Sequence, residues 1–283
     1  MFEKVIIGVD GRPGGRDAIA LAQQLAAPGA RMTLAHVYAS KAMLARGGGL
    51  AVSADRKYSE HMLKREREAA SLQAELVAVI GPGVGHAMHE LAEGRHADLL
   101  VVGSCHRGSV GRVLVGDDAL ATLHGAPCAV AITPAGYASQ ASELATVAVG
   151  DDGSPEGALA LRAAIDLAAH FGGAVSAVSV IPLQSLPSDT SISADWTNTT
   201  ERLIHDERER LARIPGVDGD AVYGEPGEEL VRLSGNADLM VVGSRGFGPL
   251  GRLMNGSTSN YLARHVLCPL LVLPRPGSAS PSP

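Results

Sequence analysis

Val5–Ala26 reads VIIGVDGRPGGRDAIALAQQLA, and Val147–Ala168 reads VAVGDDGSPEGALALRAAIDLA. Each begins as a short, unbroken aliphatic run. Each then reaches an aspartate, turns through glycine and proline, and passes into an alanine- and leucine-rich stretch. A continuous apolar run without polar alternation is the pattern of a strand covered on both faces, which is typical of parallel sheets. The stretch after it has helical composition. Strand, tight turn and helix therefore occur twice, in the same order.

The duplication extends well beyond this stretch. ADLLVVGS at Ala97 matches ADLMVVGS at Ala237, and from there the copies run without a gap to CAVAITP at Cys128 and CPLLVLP at Cys268. A period of about 140 residues is far longer than a solenoid repeat and indicates two homologous domains in tandem. In each copy the pattern predicts a strand (Val5–Asp10; Val147–Asp152), a helix (Arg16–Ala27; Pro155–Phe171) and a second strand (Met32–Tyr38; Ala174–Ile181). A variable loop follows, SKAMLARGGGLAVSA or PLQSLPSDTSISADW, and then a charged helix, EHMLKREREAASLQAEL or ERLIHDERERLARI. Third strands are expected near Leu76–Ile80 and Asp220–Gly224, with a helix, the DLLVVGS or DLMVVGS strand, and a last helix and strand closing each copy. Alternation of strands with helices predicts an α/β fold with a parallel sheet and right-handed crossovers. The expected organisation is a first domain over residues 1–135, a linker over 136–145, a second domain over 146–275 and a disordered tail over 276–283.

Composition narrows the function. Of the 283 residues, 19% are charged and 46% hydrophobic, and the net charge is −6. With no basic stripe interleaved with aromatics, this argues against a nucleic-acid binder. No apolar stretch reaches the roughly 18 residues of a membrane span, and the N-terminus lacks a signal pattern. Three cysteines without a CxxC pair suit a reducing compartment, so the expected location is cytoplasmic. Aromatics are 3% of the chain, so aliphatic side chains must build the core.

The chemistry concentrates in one loop, GSRGFGPLGRLMNGS, from Gly243 to Ser257. It is a glycine-rich path from the end of a parallel strand to the start of a helix. Ligands of open α/β sheets bind at that edge. Glycines let backbone N–H groups approach an anion, and a helix N-terminus offers free donors and partial positive charge. Ser257 and Thr258 can cap that helix or donate to a phosphate oxygen. The loop has no lysine and so is not a P-loop, and the first strand-to-helix turn lacks a dinucleotide GxGxxG pattern.

Gly243, Gly246, Gly256 and Ser257 satisfy G-x2-G-x9-G-[ST], the ATP-binding motif of the universal stress protein family. VGDDGSPEGALAL, ADLMVVGSRGFG and CPLLVLP resemble that family as well, and the resemblance covers essentially the whole chain twice. It implies Rossmann-like domains, each with a five-stranded parallel sheet of order 3-2-1-4-5 flanked by helices. It also implies ATP as ligand, with Mg2+ as its counter-ion, internal pairing of the two domains about a pseudo-twofold, and homodimers. Carried onto this chain, Asp152 would meet the ribose, Gly150 and Val180 would border the adenine, and Gly243, Gly246, Gly256, Ser257 and Thr258 would hold the phosphates, with Arg245 and Arg252 available for charge. Asp152 can equally serve a turn, and Val180 the packing of a strand. No general base can be named, so no catalytic residue is assigned and slow ATP hydrolysis is the most the motif allows.

The first copy carries Asp10, Val37, Gly103 and Gly116 at the matching positions, so its adenosine half is intact. Its phosphate half is altered: His106 replaces the second glycine and Asp117 the serine. Asp is as good an N-cap as Ser but a poor neighbour for a phosphate. That copy is expected to bind nucleotide weakly, to take a less phosphorylated ligand such as AMP or adenosine, or to act as a dimer-forming partner. Cys105 beside His106 falls short of a zinc ligand set, Cys128 and Cys268 are expected to be buried, and His36, His86, His89, His96 and His124 have no metal spacing. Two other function classes compete with ATP binding. One is a nucleotide-independent interaction module. The other is an adenylating or ATP-pyrophosphatase enzyme, whose SGGxDS loop PGGRDA at Pro13–Ala18 resembles without either serine.

Overall fold

Two aliphatic runs, Val5–Ile7 and Leu99–Val101, lie side by side with essentially no solvent exposure, in the register Val5↔Leu99 to Ile7↔Val101. The computed structural model describes residues 1–38, 49–104, 116–140, 143–182, 194–244 and 256–274, which divide into two compact units.

The first unit contains β1 (Phe2–Gly8), α1 (Pro13–Leu25), β2 (Ala26–Tyr38), α2 (Gly49–Ala69), β3 (Glu75–Ile80), α3 (Val84–Arg95), β4 (Leu99–Gly103), α4 (Asp117–Leu123), β5 (Ala129–Thr133) and the one-turn α5 (Tyr137–Gln140). Its sheet order is β3-β2-β1-β4-β5, and every pairing within it is parallel. The second unit contains β6 (Thr146–Gly150), α6 (Pro155–Phe171), β7 (Ala174–Pro182), α7 (Ala194–Ala212), β8 (Val217–Gly224), α8 (Pro226–Ser234), β9 (Leu239–Gly243), α9 (Ser257–His265) and β10 (Leu270–Leu273). Its order is β8-β7-β6-β9-β10, again all parallel. Each unit is therefore a Rossmann-like α/β domain with the expected 3-2-1-4-5 order. In each, the chain winds outward through three strands and returns on the other side of the first. The carboxyl ends of β1 and β4, and of β6 and β9, flank the point where the order reverses, which is where open sheets hold ligands.

Local chemistry explains the helices that carry these crossovers. Proline occupies the first helical position of both α1 and α6, where its missing N–H costs nothing. Ser154 caps α6 by accepting from the Gly157 amide at 3.0 Å, and Gly172 ends it in the left-handed region at φ 67°. Ala160, Leu161, Ala164, Leu167 and Ala168 give α6 a buried stripe at helical spacing.

Several element ends differ from the sequence reading: β1 and β6 stop at Gly8 and Gly150, short of Asp10 and Asp152, α1 starts at Pro13 and β8 at Val217, and the larger departures are three. β2 starts at Ala26 rather than Met32, through a register shift opposite Phe2–Lys4 and a turn at Gly29 with φ 79°. The charged helices start earlier than expected, so the ends of both expected variable loops belong to α2 and α7, while residues 39–48 and 183–193 lie outside the described residues. α2 also ends early: Ser71 adopts φ 48°, and Glu75 and Leu76 join β3.

The segment expected to link the domains contains α5. The Asp17 carboxylate, 2% exposed on α1, accepts the Gly136 amide at 2.9 Å and the Ala138 amide at 2.7 Å. Leu159 stands at the matching place in the second copy, so this anchor is particular to the first. The tail over 276–283 lies outside the described residues.

Candidate functional site

A cavity of about 520 Å3 opens at the carboxyl edge of the first unit's sheet, and Asp10, Val37, Gly103 and Gly116 all line it. The four residues picked out by matching the two copies thus converge on one space, from the ends of β1, β2 and β4 and the start of α4. Asp10 follows β1 and folds back on its own turn, with Oδ1 accepting the Arg12 amide at 3.0 Å and Oδ2 lying 3.7 Å from Arg12 Nε. Gly103 ends β4 where α1 begins. A Cβ there would lie 1.9 Å from the Gly14 carbonyl oxygen, so the position must be glycine for helix and strand to meet. Gly116 precedes α4, whose first turn opens with the exposed carboxylates Asp117 and Asp118.

Three further lining residues were not picked out by the motif. His36 Nδ1 lies 2.7 Å from the Val9 carbonyl, which can only accept, so Nδ1 carries the proton and Nε2 of the neutral ring is an acceptor. Tyr58, on α2, is 66% exposed. Ser104 is buried, and its hydroxyl finds no hydrogen-bond partner among the described residues. The available signals were adjacency for two of them, since His36 precedes Val37 and Ser104 follows Gly103. Tyr58 sits in a charged helix whose pattern does not mark it.

In the second unit the edge is built on the same plan. Gly150 ends β6 opposite Val242 of β9, which places it beside Gly243; a Cβ on Gly150 would meet Leu230 Cδ2 at 2.9 Å. Gly243 also has a packing reason to be glycine, because its Cβ would lie 2.4 Å from the Glu156 carbonyl oxygen of α6. Val180 is half-buried on β7, paired with Val222. Asp152 Oδ1 accepts the Ser154 amide at 3.0 Å, the same turn that Asp10 makes. Gly256 is the N-cap of α9, and Ser257 and Thr258 form its first turn, followed by Ser259 and Asn260. Arg245 and Gly246 lie outside the described residues, as do Cys105 and His106, since residues 105–115 and 245–255 are not among them.

Beneath Asp152 lies an ionic cluster that the sequence did not reveal. Asp151, 3% exposed, accepts Arg210 Nη1 at 2.7 Å on Oδ2 and the Gly153 amide at 3.0 Å on Oδ1. Arg210 also donates to Glu207 Oε2 from Nε at 3.0 Å and from Nη2 at 2.7 Å. Burial alone would raise the Glu207 carboxyl. Hydrogen bonds from Arg210 and Ser179, with the arginine's charge, outweigh both burial and the nearby Asp152 carboxylate and hold it below its usual range. The matching carboxylate in the first unit, Glu66, is also buried, but it pairs with Arg16 at 3.0 Å and Arg65 at 3.4 Å.

Cys128 and Cys268 are buried. Desolvation, helped by Asp98 and Asp238 respectively, pushes each thiol up to about 12, so both are packing residues and not nucleophiles. Among the described residues no group of three or more histidine, cysteine or acidic side chains is placed to hold a metal, and no helix is long and apolar enough to cross a membrane.

Residues 1–134 and 144–274 each match the model of the universal stress protein family. A universal stress protein of Mycobacterium tuberculosis is 33% identical over 183 residues, covering 62% of this chain and 61% of the relative. A second from the same organism is 28% identical over 200 residues, covering 65% and 67%. This chain thus spans about three-fifths of the length of the first of these relatives. The crystal structure of a universal stress protein from Archaeoglobus fulgidus shares the fold, with a TM-score of 0.66 at 20% identity over 96% of each chain. Because the family model matches both copies along nearly their whole length, the chain belongs to the universal stress protein family, with two of its domains in tandem.

Proposed function

We propose that this protein is an ATP-binding stress-response regulator whose nucleotide is held mainly by the second domain. The observation that carries the reading is the start of α9: Gly256, Ser257 and Thr258 open a nine-residue helix at the ligand-binding end of a parallel sheet. Free amides, two hydroxyls and the positive end of the helix dipole suit a polyphosphate. The turn carboxylate of Asp152 suits ribose hydroxyls, Gly150 and Val180 suit the adenine edge, and Gly243, Arg245 and Gly246 complete the cradle. Mg2+ enters as the counter-ion of ATP. The protein acts in the cytoplasm as a homodimer, and its activity is binding, with hydrolysis slow at most.

Calorimetric titration of the full chain with ATP and Mg2+ tests this. Ser257→Asp places a carboxylate about 4 Å from a phosphate, a repulsion of about 1 to 4 kcal/mol, or roughly one to three decades of affinity. ATP binding that Ser257→Asp and Gly256→Val leave unchanged would overturn the assignment of the site.

A further inference from the structure

The two domains differ at several aligned positions around the site, Arg12 for Ser154 and Val9 for Asp151 among them, and four of the differences bear on the ligand's charge. Asp117 and Asp118 stand where the second domain has Ser257 and Thr258. His36 stands where it has Ser179, by strand register, since Gly8 pairs with Ala35 and Gly150 with Val178. Tyr58 stands where it has Thr199, by alignment of YSEHML with TTERLI. The first domain has thus lost hydroxyls and gained carboxylates at the phosphate end, and it has gained two rings at the base and sugar end.

We infer that the first domain's cavity binds an unphosphorylated nucleoside and rejects its phosphorylated forms. The inference rests on reading the family's fold here as a nucleotide-type site, and it assigns that site a different ligand class. The cavity's volume, about 520 Å3, is in the range of small-molecule sites. Among the described lining residues, Asp10 and Asp118 are negative, and Arg12, the one permanent cation, sits beside Asp10. α4 has seven residues and begins with two carboxylates, which oppose the positive end of its dipole. A phosphate approaching Gly116 would therefore meet like charge.

A neutral ring system meets complementary groups. Tyr58 presents an exposed aromatic face at the cavity, and stacking on a base does not depend on charge. His36, with Nδ1–H committed to Val9, offers Nε2 as an acceptor. An acceptor suits an exocyclic amine or a ribose hydroxyl and is wrong for a phosphate oxygen. The Asp10 carboxylate, also an acceptor, suits sugar hydroxyls in the same way.

The test is calorimetry of the full chain in the Ser257→Asp background, which removes the proposed ATP site of the second domain, with adenosine, AMP and ATP as probes. Adenosine is expected to bind one equivalent per chain, tighter than AMP, with ATP weakest. Tyr58→Ala, an exposed change that leaves the core intact, should weaken adenosine about tenfold. Asp117→Ser with Asp118→Thr should reverse the order by strengthening AMP and ATP at least about tenfold. ATP binding more tightly than adenosine in that background, no adenosine binding, or adenosine binding indifferent to Tyr58→Ala and His36→Ser would each overturn the inference. The two readings fail separately. ATP binding to the wild-type chain that is lost in Ser257→Asp, without adenosine binding, sinks this inference alone. Tyr58-dependent adenosine binding, without wild-type ATP binding, sinks the ATP assignment alone.

Discussion

Arg210 of α7 donates to Asp151 Oδ2 at 2.7 Å, and so supports from below the turn in which Asp152 sits. The acid is nine-tenths or more buried while the arginine is 34% exposed, so the pair lies at the boundary of the core. Removing the arginine would leave a desolvated charge without its partner. Arg210→Met should destabilise the second domain by about 2 kcal/mol, discounted for the arginine's exposure. A lower denaturant midpoint checks this, and replacing Asp151 by Asn in the same protein should recover part of the loss.

Stability should follow pH through Glu207. Its carboxyl titrates below the ordinary range in the folded state, so the native protein favours the ionised form. The stabilisation is complete above the unfolded carboxylate pKa, and it is lost as pH falls through the folded one. The stability difference between wild type and Glu207→Gln should be constant from about pH 7 to 5 and shrink towards about pH 3. Denaturant titrations across that interval read it directly, and a difference that grows on acidification would contradict the sign.

Two glycines should respond oppositely to the same substitution. Gly103→Ala forces a Cβ to 1.9 Å from the Gly14 carbonyl oxygen, a backbone atom that cannot rotate away, and should cost about 3 kcal/mol. Gly94, in the exposed face of α3, has open space where its Cβ would stand, and Gly94→Ala should stabilise by about 0.5 to 1 kcal/mol. Thermal midpoints of the two variants should therefore move in opposite directions.

Asp17→Ala should release α5. The carboxylate accepts two backbone amides from a segment that is also tied to α1 by Tyr137 Oη donating to Gln24 Oε1 at 3.2 Å, and its loss should cost about 2 kcal/mol. Limited proteolysis should then cut near Gly136–Gln140 sooner than in wild type. Asp17→Asn, which keeps one carbonyl acceptor, should be intermediate.

Cys128 and Cys268 should resist alkylation in the native protein at about pH 8, since thiols pushed up to about 12 hold almost no thiolate there. Peptide mapping by mass spectrometry after a short iodoacetamide pulse checks each cysteine separately. Modification should appear only when the protein is unfolded.

How much was legible in advance depended on the range of the interactions involved. The strands, the helices that separate them and the duplication are written in local chemistry. Unbroken aliphatic runs, Pro13 and Pro155 at helix starts, and the turn aspartates Asp10 and Asp152 act within a few residues of themselves. For the same reason the matched positions Asp10, Val37, Gly103 and Gly116 could be named before the cavity they line was seen. Element ends were less legible. The first turns of α2 and α7 look like loop in composition, and β2 already begins at Ala26, paired with Phe2, and passes Pro28 and Gly29 through a register irregularity that composition does not mark.

The amino-acid sequence by itself thus determined the fold, its repetition and the edge at which a ligand would bind, because apolar periodicity and turn chemistry are short-range. The tertiary structure alone decided which side chains meet there. Tyr58 reaches the cavity from α2, and Arg210 finds Asp151 from 59 positions away, because the crossovers set α2 and α7 over the ends of the first strands. No spacing along the chain encodes such a meeting. A buried charge requires a partner, but it does not say from which helix the partner will come.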